Sequence, residues 1–122
     1  MPCNNSVELA RIYQLFYQLK IASKYKGYTQ TAYAVYLAAQ KPKNLSLVTK
    51  RLYPEVAKKY HTTWNAVERN IRTILTIIWD NNSELLEKIA GYPLSRKPET
   101  KQFISILVSA LDKSYPKSEG RQ

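Results

Sequence analysis

Cysteine, glycine and acidic residues are scarce in this sequence. Cys3 is the only cysteine among 122 residues, which excludes an intramolecular disulfide, a paired-cysteine metal site and a thiol redox pair. This cysteine usage fits a reducing compartment, so we expect a cytoplasmic protein. Only three glycines and a hydrophobic fraction of 44% predict an ordered globular chain. At this length we expect a single domain with one hydrophobic core.

Long apolar runs and catalytic clusters are also absent. The most apolar stretch, residues 74–79, is too short to span a bilayer, and the first residues lack the basic start and apolar stretch of a signal peptide. The single histidine, His61, has no cysteine or paired carboxylate near it in sequence, and no glycine-rich phosphate loop or metal-spaced cluster occurs. We therefore expect no membrane partner, no catalytic residue, no metal and no cofactor.

Basic residues are abundant. Nineteen Lys and Arg against nine Asp and Glu give a formal net charge of +10. A charge of this size on a small domain favours a polyanionic partner, and nucleic acid is the natural one. A basic protein with no such partner would have the same composition, so the arrangement of the charges has to decide between the two.

Apolar residues recur at helical spacing along most of the chain, and no useful strand-like alternation occurs. The pattern predicts an all-α fold, a compact bundle of about six or seven helices that contains a helix-turn-helix. We assign residues 1–25 to an N-terminal helix, 26–113 to the helix-turn-helix domain and 114–122 to a flexible tail. Gly27 is expected to end the first helical stretch and to separate it from the second helix. The expected helices cover residues 6–24, 32–39, 45–52, 54–60, 63–80, 83–90 and 100–111.

Two of these helices have the spacing of a helix-turn-helix. That motif needs a small residue where the first helix crosses the second and a branched apolar residue about ten positions later, and Ala57 and Val67 meet this requirement. Thr63 is placed to cap the second helix. His61 occupies a turn position where glycine is common, which is a mild mismatch. We expect a recognition helix that begins near Thr63.

A polar stripe lies opposite the apolar stripe of this helix. Its residues are three, four or seven positions apart, which places them on one outward face. Arginine can pair with guanine, asparagine with adenine and glutamate with cytosine in the major groove, so the stripe is suited to contact DNA bases. The alternative is that Glu68 and Arg72 form a surface ion pair with no further role. The predicted base-contacting residues are Asn65, Glu68, Arg69 and Arg72, with Thr76 on the same face.

Lysines cluster just before the recognition helix. Lys50, Lys58 and Lys59, together with Thr63, are the predicted contacts to DNA phosphates, which would set affinity rather than sequence preference. Arg51, next to Lys50, has the same backbone-positioning role on charge and place. A solvated helix face with lysines near its C-terminus is the alternative reading of these positions. Arg96 and Lys97, in the loop before the last helix, are weaker candidates on charge alone.

Short motifs along the chain have a characteristic order and spacing: Lys26-Gly27-Tyr28, Thr49-Lys50, Leu52-Tyr53-Pro54, Ala57-Lys58-Lys59, Thr62-Thr63, Val67-Glu68-Arg69, Ile71-Arg72, Trp79, Gly91-Tyr92, Lys97-Pro98 and Phe103-Ile104. In these motifs the sequence resembles a known family, the C-terminal DNA-binding effector domain of the stage-zero sporulation response regulator. The resemblance covers roughly residues 21–111, and it is most specific between residues 52 and 72. It implies an all-helical domain that binds double-stranded DNA at a short box near promoters, often as tandem copies, with a second copy or RNA polymerase as further partners.

Glu68, Arg69 and Arg72 match the recognition-helix motif of that family, so the resemblance implies that they face DNA. Their neighbours depart from it: Asn65-Ala66 stands where the family has Ser-Arg, and Thr73 where it has His. The target sequence or affinity is therefore expected to differ. The family also joins this domain to a phosphorylatable receiver, for which 122 residues leave no room. An excised domain and a free-standing regulator both fit, and control by phosphorylation does not carry over.

Two other binding functions compete with DNA recognition. A protein-interaction module that modulates a full-length response regulator or the transcription machinery would also tolerate the positive charge. RNA binding ranks lower, because the tyrosines fall largely on helical faces rather than on a strand platform that could stack bases. Selection of bound duplexes from a random pool distinguishes a DNA reader from the other two.

Overall fold

The protein is a helical bundle, as the sequence predicts. The structure, a computed structural model, describes residues 4–114, and it describes side-chain surroundings for residues 9–41 and 43–111. Beyond Ser114 the predicted tail lies outside the described residues. No helix in the described part is long and apolar enough to cross a membrane. The elements are α1 (Asn4–Gln18), α2 (Lys26–Gln40), a 3-10 turn (Pro42–Leu45), a π turn (Val48–Leu52), α3 (Tyr53–Lys59), α4 (Trp64–Ala90) and α5 (Thr100–Ser114).

The described region has five α-helices instead of six or seven, and one reason lies at Asn82. Residues 64–80 and 83–90 were expected to form two helices, but they form the single helix α4 with a kink at Asn82 (φ −145°, ψ 43°). The side chain of Asn81 donates to the carbonyl of Ile77 at 3.0 Å, within the preceding helical turn. Ile78 and Leu86 are buried on either side of the kink, so core packing holds both halves in one helix.

The first helix ends earlier than predicted. It ends at Gln18 rather than near residue 24, because Lys20 adopts the left-handed conformation with φ 62°. The amide of Lys20 then donates to Tyr17 O at 3.0 Å, and that of Ile21 donates to Phe16 O at 3.1 Å. This pair of bonds is a Schellman motif, which usually has glycine where Lys20 stands. The sequence therefore offered no visible stop signal at this position.

The core is built around one face of α4. Val67, Ile71 and Ile74 of this helix are fully buried, and they pack with residues of α2, α3 and α5. Helix α1 also packs onto this core, through the fully buried side chains of Ile12 and Phe16. Burial of a large apolar side chain contributes about 1.5 to 3 kcal/mol, so this face fixes the position of α4 in the bundle.

Gly27 allows two helices to approach closely. It is the second residue of α2, not an interruption before it, so the expected break at Gly27 is wrong. A β-carbon at this position would overlap the backbone carbonyl oxygen of Asn70 in α4 and would lie 2.7 Å from Ile74 Cγ1. Beside this contact, the side chain of Asn70 donates to Gln30 Oε1 at 3.0 Å. The backbones of α2 and α4 are therefore in direct contact at Gly27.

We expect Gly27→Ala to lower the free energy of unfolding by about 1–3 kcal/mol, because the added methyl group meets backbone that cannot move without shifting α4. An alanine normally stabilises a helix relative to glycine by about 0.5–1 kcal/mol, so the predicted sign is opposite to the effect of helix propensity. Urea unfolding followed by circular dichroism measures the change. Thr29→Ala, at an exposed position of the same helix, is the control. Unchanged or increased stability of Gly27→Ala would contradict the close contact.

Candidate nucleic-acid interface

Helices α3 and α4, joined by residues 60–63, form a helix-turn-helix. Ala57 and Val67 are buried at the crossing, as the spacing between them predicts. Val56, one residue before Ala57, is also fully buried and completes the face of α3 that packs against the core. The buried faces of the two helices leave the opposite face of α4 toward solvent.

The turn is closed by His61. This residue has φ 56°, in the left-handed region, where only glycine is free of steric cost. Two backbone bonds close the end of α3: Thr62 N–H donates to Ala57 O at 2.9 Å, and His61 N–H donates to Lys58 O at 3.4 Å. The arrangement is a second Schellman motif without glycine. The mismatch noted in the sequence is therefore a backbone conformation that histidine accepts with some strain.

Thr63 starts the recognition helix. Its backbone is extended, with φ −106° and ψ 157°, and its Oγ1 accepts a hydrogen bond from Ala66 N–H at 3.2 Å. A threonine cap of this kind is worth about 1 kcal/mol to the helix. The helix proper begins at Trp64, so the predicted start near Thr63 and its capping role are both confirmed.

The outward face of α4 carries three of the predicted base-contacting residues. Asn65 and Arg69 are exposed, and the side chain of Arg72 is 53% exposed. In the part of the chain that the structure describes, no side-chain hydrogen bond or ion pair engages Asn65 or Arg69. Thr73, the residue after Arg72, donates its hydroxyl to Arg69 O at 3.0 Å. The face therefore presents one amide and two guanidinium groups to solvent.

Glu68, the fourth predicted residue, lies on the flank of the helix. Its Oε1 is 3.2 Å from Arg72 Nη1, and its Oε2 accepts a hydrogen bond from the hydroxyl of Thr100 at 3.0 Å. Thr100 is buried at the start of α5. Burial, assisted by the negative charge of Glu68, raises the pKa of Tyr53 to about 12. The ion pair considered as an alternative in the sequence is therefore present, and it is part of a network between α4 and α5.

A cleft of about 520 Å³ lies on this flank, between the π turn, α4 and the start of α5. Lys97 lines it and donates from Nζ to Thr76 Oγ1 at 3.0 Å, which places this lysine beside the polar face of α4. Lys101 lines the same cleft. Charge alone made Lys97 a weak candidate, because its contact with Thr76 joins residues that are 21 positions apart in the sequence. Lys101 was not a candidate on charge alone.

The lysines expected to contact phosphates are all exposed, but they lie on different faces. Lys59 Nζ is 5.1 Å from the centre of the Tyr33 ring and 5.9 Å from that of Tyr60, so cation–π contacts hold it beside α2. Lys58 faces the other side, where it lines a cleft that also includes Lys50. The structure therefore separates the pair that the sequence places together.

The crossing of α3 and α4, the closed turn and the capped second helix define a helix-turn-helix domain. The chain belongs to the family of the sporulation initiation factor Spo0A C terminal, whose family model matches residues 12–111. Domains of this family are DNA-binding transcription-factor effector domains, and the family is not an enzyme family. The resemblance traced on motifs began near residue 21, whereas the matched segment begins inside α1. The family assignment made from the sequence is confirmed.

We expect His61→Val to destabilise the domain by about 1–2 kcal/mol, because a β-branched side chain tolerates a left-handed backbone conformation poorly. His61→Asn should be nearly neutral, since asparagine adopts this conformation more readily. The measurement is the urea midpoint of each variant. A valine variant as stable as the asparagine variant would show that the turn is not held in this conformation.

Proposed function

We propose that this chain is a sequence-specific regulator of transcription that binds double-stranded DNA by inserting the N-terminal part of α4 into the major groove. The observation that carries the proposal is the set of exposed polar side chains on one face of a capped helix, directly after a helix-turn-helix turn. A second copy on a tandem box and RNA polymerase are the further partners that the family resemblance implies.

Arg69, Arg72 and Asn65 are the proposed base readers. A guanidinium donates two hydrogen bonds to O6 and N7 of guanine, and an asparagine amide pairs with N6 and N7 of adenine. Each such pair discriminates against a wrong base by about 1–3 kcal/mol. Asn65 and Arg69 have no bonds to break before they contact a base, whereas Arg72 starts from its ion pair with Glu68.

Glu68 belongs to the proposed interface through Arg72. Both of its carboxylate oxygens have partners within the domain, one in Arg72 and one in Thr100. A glutamate held in this way limits the orientations that the guanidinium can adopt, and a preorganised arginine loses less side-chain entropy on binding. We therefore assign Glu68 a positioning role rather than a direct contact to cytosine.

Lys50, Lys58, Lys59 and Thr63 are the proposed phosphate contacts. The three lysines are exposed around α3, so they can reach the DNA backbone on either side of the recognition helix. Thr63 Oγ1 is the acceptor in its capping bond, so its hydroxyl hydrogen is left to donate to a phosphate oxygen. These contacts would position the domain without reading the sequence.

We expect Arg69→Ala and Arg72→Ala each to weaken binding to the preferred duplex by about 1–3 kcal/mol, or roughly 5- to 150-fold, with the fold intact. The preferred box is first selected from a random pool of duplexes, and affinities are then measured by fluorescence anisotropy. Lys88→Ala removes an equally charged, exposed side chain near the C-terminal end of α4, away from the proposed base-reading face, and serves as the control. Unchanged affinity and box preference in both recognition-helix variants would refute the proposal.

The same selection tests the role of Glu68. If Glu68 acts through Arg72, Glu68→Gln relaxes the preference at the same base pair that Arg72→Ala relaxes. A new preference at a different base pair would instead show that Glu68 contacts a base directly.

Lys58→Ala and Lys59→Ala should weaken binding to all duplexes alike. The slope of log affinity against log salt concentration should become shallower by about 0.9 for each lost phosphate contact. Lys88→Ala, near the C-terminal end of α4, should leave the slope unchanged because this exposed lysine lies far along the helix from the turn. A loss restricted to one DNA sequence would contradict a phosphate role.

A further inference from the structure

A second basic surface lies beside α3 and includes residues that the proposed function does not use. It is a cleft between the end of α2 and the continuous stretch formed by the π turn and α3. Four cationic side chains line it, and Glu55 is the one carboxylate among the lining residues. We call it the basic cleft and define it by Lys41, Lys50, Arg51 and Lys58.

The charges of the basic cleft are not neutralised within the domain. Four cations and one carboxylate leave a local charge of +3. In the part of the chain that the structure describes, none of the four cations is within ion-pair distance of a carboxylate. Mutual repulsion among them is relieved when an anion binds, so the cleft favours an anionic partner.

The walls of the cleft are held in place by the backbone. The carbonyl oxygen of Leu37 accepts from Lys41 N–H at 3.0 Å and from Asn44 Nδ2 at 3.3 Å, which joins the 3-10 turn to the end of α2. On the other wall, Arg51 N–H donates to Leu47 O at 2.7 Å. The backbone positions of Lys41 and Arg51 are therefore set before any partner arrives.

Two cations of the second wall lie along one continuous helical stretch. Leu52 has helical backbone angles, so the π turn runs directly into α3. Arg51 and Lys58 therefore lie on the same helical stretch, and the rise along it from one to the other is about 10 Å at 1.5 Å per residue. A separation of this size allows the two side chains to contact different phosphates of one strand.

We propose that the basic cleft binds phosphates of the DNA backbone beside the recognised box, with Lys41 as a contact that the sequence did not indicate, next to Lys50, Arg51 and Lys58. The inference rests on the proposed function, because Lys58 belongs to the same short helix that crosses the recognition helix. The basic cleft therefore continues the interface beyond the box. An acidic protein segment is the competing occupant, and the experiment separates it from DNA.

The test compares two duplexes that contain the same selected box, one trimmed to the box and one with about one helical turn (~10 base pairs) of flanking DNA on each side. The variant Lys41→Gln/Arg51→Gln removes two charges without touching the proposed base readers. On the flanked duplex, the log-log salt slope should become shallower by about two, or roughly 0.9 per contact, and on the trimmed duplex it should not change. Lys88→Gln controls for the loss of an exposed charge, and thermal unfolding checks that each variant is folded.

Equal slopes for the wild-type protein and the double variant on the flanked duplex would overturn the inference, as would an equal loss on both duplexes. Loss of binding to polyglutamate with unchanged DNA slopes would assign the cleft to an acidic protein segment instead. In each of these cases Arg69→Ala still weakens binding to the selected box if the proposed function is right. If the selection recovers no box at all, the proposed function fails together with the inference.

Discussion

The position of the recognition helix depends on the contact between the backbones of α2 and α4 at Gly27. No side chain fits between the two helices there, because a β-carbon would overlap the carbonyl oxygen of Asn70. The bond from Asn70 to Gln30 fixes the rotation of α4 on the same side. On the opposite flank, Glu68 and Thr76 bond to Thr100 and Lys97 from the last helix and the loop before it. Held on both flanks and buried along its apolar face, α4 leaves one face free for a partner.

In the proposed function the free face of α4 contacts the bases, and the surrounding lysines contact the DNA backbone. Asn65, Arg69 and Arg72 can form directional bonds with base edges, whereas exposed lysines contribute attraction that does not depend on sequence. The structure adds a distinction that the sequence conceals: Lys59 lies against the tyrosines beside α2, and Lys58 faces the basic cleft. Two neighbouring lysines would therefore contact different parts of the DNA backbone.

At the end of α1 and in the turn after α3, residues other than glycine occupy positions where glycine is usual. Lys20 and His61 both adopt left-handed backbone angles, and each closes a helix with the pair of bonds that glycine usually permits. The strain, on the order of 1–2 kcal/mol at each residue, is offset by the apolar contacts on either side. Ile21 and Phe16, for example, are buried next to the first of these helix ends.

The sequence by itself determined the all-α class, the helix-turn-helix spacing of Ala57 and Val67, the Thr63 cap and the polar stripe on α4. All of these depend on helical periodicity or on neighbours within one or two turns, so a local pattern is enough to reveal them. Only the tertiary structure decided the close approach at Gly27, the continuity of α4 through Asn82, the network of Glu68 with Thr100, and the basic cleft that brings Lys41 close to Arg51. These features join residues distant in the chain or depend on core packing, and no local pattern encodes which distant backbone or side chain will be the neighbour.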